Sequence, residues 1–344
     1  MGAFCVPGGC GAANIFSAVG GEGELLMSRS GFTRVVAALL AVVMMIGVTP
    51  AHAQDARTLR ALTSSEGIAD TRAPEGGARV VVFGDSHSSG TNAPFTADER
   101  GCLRGAGSWP AQLQARLGLP TGELIDASCN GASINSAGLH FSDEVRHAES
   151  LGAIGPRTEE IIIQFGKNDH WGNPDISLRY SVINCLTDLV NGCGDRAVAA
   201  GTMQDPAAVT PEYYAQRMEP VIDYLRYYAP NATITLMGYQ EYMPRTGGEI
   251  CVRLGGVDIR KPDAWALVSY MDRLEAAIGG AAEILKVEYV DLRAATAGHS
   301  SCTVDPWVNG VVDARVPALG MPWHPSVKGD GVTAGLLADR IARA

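Results

Sequence analysis

What the sequence lacks narrows its function first. It has no basic excess: 27 Lys and Arg stand against 37 Asp and Glu, a formal net charge of −10 at pH 7. Binding nucleic acid requires a basic stripe to meet the phosphates, and none appears, so no nucleic-acid partner is expected. No Gly-x-Gly-x-x-Gly follows the first apolar run, which argues against a dinucleotide cofactor, and no cofactor is expected. No Gly-x-Ser-x-Gly occurs either. The nearest approach, Gly298-His299-Ser300-Ser301-Cys302, ends in a cysteine, so a nucleophile elbow is unsupported. There is no Cys-x-x-Cys pair, and no metal site is expected.

Apolar runs long enough to span a bilayer are also missing. Residues 35–48 form the longest leading run, 14 residues, where a spanning helix needs roughly 20. Arg29 and Arg34 precede or open it, and Thr49-Pro50-Ala51-His52-Ala53 follows. A positive start, a short apolar stretch and an Ala-x-Ala site predict a secretory signal peptide cleaved after Ala53. Residues 1–26 are Gly-rich without export logic, so Met27 is the expected start. Residues 54–77 read as a polar linker, and residues 78–344 as the folded domain. The expected product is secreted, monomeric and without a transmembrane anchor. With 46% hydrophobic and 19% charged residues, its 344-residue chain has the means to bury a core.

Beyond the leader, six cysteines remain: Cys102, Cys129, Cys185, Cys193, Cys251 and Cys302. An even count in an exported chain implies disulfides, though six cysteines allow about fifteen connectivities. Cys185 and Cys193 flank the turn signal Asn191-Gly192 and are expected to pair.

Apolar runs at 78–83, 160–165 and 232–237, with shorter ones at 123–127 and 286–290, read as buried strands. Helices are expected at 108–117, opened by a serine cap, at 211–228, at 262–285 with a Gly-Gly interruption, and at 326–343. Alternating strands and helices predict an α/β fold, a three-layer α/β/α sandwich around a parallel sheet. Residues 170–210, rich in Asn, Gly, Asp and Pro, read as an insertion near the carboxyl edge of the sheet.

Ligands of such sheets collect beyond the carboxyl ends of the strands. There the chain places Gly84-Asp85-Ser86-His87, Ser128-Cys129-Asn130-Gly131, Gly166-Lys167-Asn168-Asp169 and, before the last helix, Met321-Pro322-Trp323-His324-Pro325. A hydroxyl nucleophile, a base and oxyanion donors are the parts acyl transfer needs. Each also has a structural reading: Ser86 as a helix cap, Gly131 as a positive-φ turn, Asn168 in an Asx turn and His324 as a surface histidine.

In order and spacing these four blocks resemble the SGNH (GDSL) hydrolases, over residues 78–344 and most closely the secreted three-disulfide actinobacterial esterases and lipases. The resemblance implies the flavodoxin-like hydrolase fold and consecutive cysteine pairing. It implies Ser86 as nucleophile, His324 as general base, and an oxyanion hole from Ser86 N–H, Gly131 N–H and the Asn168 side chain. The expected function is hydrolysis of small-molecule or lipid esters through an acyl-serine. The alternatives are a carbohydrate O-acetyl esterase and a non-catalytic binding module.

This chain departs from the family twice. His87 stands where the short motif often has Leu. Met321 stands where many members have an Asp that orients the histidine, so the Met321 carbonyl is the expected orienter, with Asp305 and Asp313 as competing carboxylates. Trp171 and Tyr239 follow strands closely and are expected in the substrate pocket. His140 and His147, with Asp143 and Glu144 between them, are expected on a solvated helix face, and the tyrosines at 213, 214, 224, 227 and 228 as packing.

Overall fold

In the computed structural model residues 76–343 are described, except 137, 173–175, 189, 246–247 and 317–318. The predicted leader and nearly all of the 54–77 linker lie outside the described residues. Five strands form the sheet, with β-branched runs at its centre in β1 and β5: β1 (Val80–Gly84), β4 (Leu124–Asp126), β5 (Glu160–Gln164), β6 (Thr233–Met237) and β9 (Glu288–Val290). They pair in parallel in the order β4-β1-β5-β6-β9, with Val80 opposite Glu160 and Ile161 opposite Ile234. Parallel pairing requires crossovers, and the helices between strands supply them.

The period-2 alternation of these strands divides the core into two faces. Val81, Phe83, Ile161, Ile163 and Leu236 pack against one set of helices: α3 (Phe141–Ser150), α6 (Pro211–Tyr228) and α7 (Trp265–Leu285). Val80, Val82, Ile162 and Met237 meet α2 (Trp109–Arg116) and α9 (Val327–Ile341) through Trp109, Leu113 and Leu337. Each such fully buried side chain stabilises by about 1.5–3 kcal/mol. The result is the three-layer α/β/α arrangement with a central parallel sheet.

Local signals set the helix ends. Ser108 caps α2 through Ala111 N–H, Thr210 caps α6 through Tyr213 N–H, and Ser326 caps α9 through Gly329 N–H. The helix expected from residue 262 begins only at Trp265, because Asp263 takes a left-handed backbone, φ 57°, that no helix interior accepts. The expected interruption at Gly279-Gly280 is absent and α7 runs through it. These glycines serve close packing: a Cβ at Gly280 would lie 2.8 Å from Pro211, and one at Gly279 3.3 Å from the Tyr289 ring.

Two small hairpins lie outside the main sheet: β2 (Phe95–Ala97) with β3 (Leu103–Gly105), and β7 (Ile250–Leu254) with β8 (Val257–Lys261). The second turns through Gly255-Gly256, both at positive φ. The 170–210 insertion follows β5 and holds α4 (Leu178–Thr187), α5 (Asp195–Ala199) and a short 3-10 turn. The disulfides are Cys102–Cys129, Cys185–Cys193 and Cys251–Cys302, the consecutive pairing that the resemblance implies. Short helices α1 (Ser86–Ser89) and α8 (Leu292–Ala295) follow β1 and β9 directly.

Candidate active site

The first block turns sharply from β1 into α1. Asp85 caps that helix by accepting from His87 N–H at 2.8 Å, which puts Ser86 in the first turn. Gly84 has no room for a side chain: a Cβ would lie 2.6 Å from Ser88 Oγ and 2.9 Å from the Gln164 carbonyl. Its N–H donates to Glu144 Oε2 at 2.8 Å. Glu144 is fully buried, which corrects the expectation of a solvated face on α3. On that helix His140 forms the N-cap, its N–H donating to Asp143, and His147 faces Glu99.

Ser86 Oγ lies 2.7 Å from His324 Nε2, although 238 residues separate them in the chain. On the far side of the ring, His324 Nδ1 lies 2.9 Å from the Pro322 carbonyl oxygen. Nδ1–H therefore donates to a backbone acceptor, and this leaves Nε2 as a lone pair toward the serine. The expected orienter, Met321, is corrected by one residue: its carbonyl accepts from His324 N–H instead. Asp305 is bound to Lys328 and Asp313 to Arg315, so neither carboxylate holds the imidazole.

The loop before α9 is built to hold this geometry. Trp323 adopts φ 56°, a left-handed conformation rare for a bulky residue. It is fastened there by its N–H to the Asn309 carbonyl and its indole N–H to the Cys251 carbonyl. Asn92 and Asn309 both donate to the Pro325 carbonyl, at 2.9 and 3.0 Å.

The other two blocks are tied to each other. Asn168 Nδ2 donates to the Ala132 carbonyl at 2.9 Å, which sets its amide beside the Gly131 turn, where φ is +80°. Asp169, fully buried, accepts from Ile134 N–H and Ser136 Oγ and pairs with Arg217 from α6.

Burial lowers the His324 pKa from its ordinary 6.5 to about 4; the bond to Pro322 opposes this and the charge of Lys167 adds to it. Burial raises Asp85 to about 6, against the bonds from His87 N–H and the Tyr239 hydroxyl.

Trp171 and Tyr239 are both fully buried, which corrects their expected place in a substrate pocket. Trp171 stacks on Tyr214, has the Arg217 guanidinium over its ring and donates to the Gly166 carbonyl. Tyr239 donates to Asp85 Oδ2 at 2.7 Å. Among the tyrosines of α6, Tyr214 and Tyr224 are buried as expected, whereas Tyr213 and Tyr227 are exposed. A cavity of about 660 Å³ lies elsewhere, lined by Arg245, Asp272, Glu275, Tyr289 and Arg293, with neither Ser86 nor His324 in its wall.

Residues 82–332 match the model of the GDSL-like lipase/acylhydrolase family. An esterase of Streptomyces scabiei is 26% identical over 315 residues, covering 78% of this chain and 87% of that protein. A lipase of Streptomyces rimosus is 25% identical over 254 residues, covering 72% of this chain and 81% of that protein. Among solved structures, phospholipase A1 from Streptomyces albidoflavus superposes with a TM-score of 0.55 at 23% identity, over 77% of this chain and 98% of that one. The extracellular lipase of S. rimosus gives 0.52 at 22%, over 76% and 100%. These structures share the fold, and the family match spans the sheet from β1 to α9: the chain belongs to the GDSL-like lipase/acylhydrolase family.

Proposed function

We propose that the protein is a serine esterase or lipase that hydrolyses carboxylic esters through an acyl-Ser86 intermediate. The observation that carries this reading is the 2.7 Å contact of Ser86 Oγ with His324 Nε2, in a ring whose other nitrogen is committed to Pro322. His324 takes the hydroxyl proton as Ser86 attacks the ester carbon. The tetrahedral oxyanion receives hydrogen bonds from Ser86 N–H, Gly131 N–H and the Asn168 amide, whose second N–H is not the one held by Ala132. His324 then gives the proton to the leaving alcohol. Water, deprotonated by the same imidazole, attacks the acyl-serine; the acyl–Ser86 bond breaks, His324 returns the proton to Ser86 Oγ, and the acid leaves.

The relatives named esterase and lipase support acyl esters as the substrate class. A short-chain p-nitrophenyl ester assay on wild type and Ser86→Ala tests the chemistry. Loss of turnover in the variant is expected, and equal rates sink the serine assignment. No rate in either favours the binding module. A chain-length series beside acetylated xylan tests the substrate, and activity on xylan alone reverses the choice.

The leader motif and three disulfides support export. Cleavage after Ala53 leaves Gln54 as the first residue, which amino-terminal sequencing of the extracellular protein reads directly.

A further inference from the structure

His87, the departure from the family's first block, is stacked on the proposed base. Its ring lies 4.3 Å from that of His324, centroid to centroid, with the planes 19° apart. On its other edge, His87 Nε2 lies 2.9 Å from Lys167 Nζ, a fully buried contact. Lys167 belongs to the third block, beside Asn168. Its Nζ sits over two aromatic faces, 3.5 Å from the Tyr242 ring centroid and 4.3 Å from that of Tyr239. That setting suits an ammonium.

We propose that Lys167 and His87 are a positioning pair for the His324 base: the Lys167 ammonium fixes His87 as a neutral ring, and that ring holds His324 from behind. An ammonium has no acceptor lone pair, so His87 Nε2 must accept and the His87 proton must reside on Nδ1. That Nδ1 is buried without a hydrogen-bond partner. An unpaired buried donor is unfavourable, and its retention marks a demand other than stability.

The pair rests on the esterase reading and deepens it. Positive charge at Lys167 opposes a second positive charge on His324, so the base stays unprotonated further into acid. The groups facing this cluster are Asp85 after β1, Asp169 after β5, Tyr239 and Tyr242 after β6, Glu275 on α7 and Arg293 on α8. Burial, the largest influence, pushes the Lys167 pKa well below its ordinary value; Asp85 and Glu275 oppose this and so favour the charge, and Arg293 adds to the lowering. Burial and Lys167 both hold His87 neutral.

Nitrogen-15 NMR of the imidazoles tests the pair without substrate, so its failure and the failure of the esterase reading are separate results. In wild type, His87 should carry its proton on Nδ1 and stay neutral from about pH 8 down to about pH 5. In Lys167→Met the His324 titration midpoint should rise by on the order of one pH unit, and the acid limb of kcat/KM should rise with it. A His87 proton on Nε2 in wild type overturns the proposal. So does an unchanged His324 midpoint in folded Lys167→Met, even if the rate falls. Should that variant not fold, the wild-type tautomer decides alone.

Discussion

His324 Nδ1 and the Pro322 carbonyl oxygen stand 2.9 Å apart, so a backbone group occupies the position that a carboxylate fills in a serine triad. A carbonyl fixes the tautomer and ring orientation but supplies no full charge to an imidazolium. Side chains at 321 and at the distant aspartates should then matter little. Met321→Ala, Asp305→Asn and Asp313→Asn are expected to keep turnover within a few-fold of wild type. His324→Ala is expected to lose several orders of magnitude, with only the oxyanion donors and binding left to act. A folded but inactive aspartate variant overturns the backbone assignment.

The pH profile should reflect the lowered base. Burial moves His324 to about 4, while the residue is only partly buried, so solvent opposes the shift. The acid limb of kcat/KM should therefore lie below the ordinary histidine value of about 6.5. The same group links folding to pH: its folded pKa is depressed, so the unfolded chain binds the extra proton. Its contribution to stability is present above the unfolded pKa and is lost as pH falls toward the folded one. A limb at or above the ordinary histidine value contradicts this electrostatic picture.

Glu275 has the opposite sign. Burial raises its pKa to about 7, although it accepts hydrogen bonds from the Tyr289 hydroxyl and Tyr239 N–H. The folded state binds the extra proton, so stability from this group is full below the unfolded pKa and falls as pH rises through about 7. Denaturant titrations at stepped pH should show a shallower alkaline loss in Glu275→Gln than in wild type. Parallel curves contradict the assignment.

The Cys251–Cys302 disulfide should matter for catalysis and Cys185–Cys193 for stability. The first positions the Cys251 carbonyl that receives the Trp323 indole, next to His324. In the entropy model the two loops contribute about 4 and about 2.5 kcal/mol respectively. Removing the 185–193 pair as a double serine variant is expected to lower Tm with kcat retained. Removing the 251–302 pair is expected to lower both, and Trp323→Phe alone should cut kcat several-fold at nearly unchanged KM.

Asp169→Asn tests the clamp between the Gly131 and Asn168 loops. It leaves the Arg217 guanidinium, which is buried, without its counter-charge. Breaking such a pair costs about 3–5 kcal/mol, which in a domain of this size lowers Tm by roughly 10 °C. If Tm and kcat both survive, the two loops hold their places without it.

Much of the fold was legible because its central strands β1 and β5 are buried on both faces and read as Val and Ile runs. Ser108 announced a helix start through its cap chemistry, and the structure shows it capping α2. The β7–β8 hairpin was missed, although Gly255-Gly256 between two apolar-alternating runs is a hairpin signal. The α7 glycines misled because a Gly pair resembles a break unless the neighbour that requires it, Tyr289 or Pro211, is known. Ser86, Gly131, Asn168 and His324 stood out because their four blocks resemble those of the family in order and spacing. Pro322 did not, since any residue offers a carbonyl and only the backbone path shows which one faces Nδ1. The burial of Trp171 and Tyr239 was equally invisible, because following a strand does not say on which side of the loop a ring falls.

The central claim is that Ser86 is the nucleophile activated by His324. Its most direct test is covalent capture: treat the folded protein with a p-nitrophenyl phosphonate and locate the adduct by peptide mass spectrometry. A single phosphonyl group on Ser86, formed orders of magnitude more slowly in His324→Ala, is the predicted result. An adduct on Ser88 or another hydroxyl, or an Ser86 adduct whose rate ignores His324, contradicts the account.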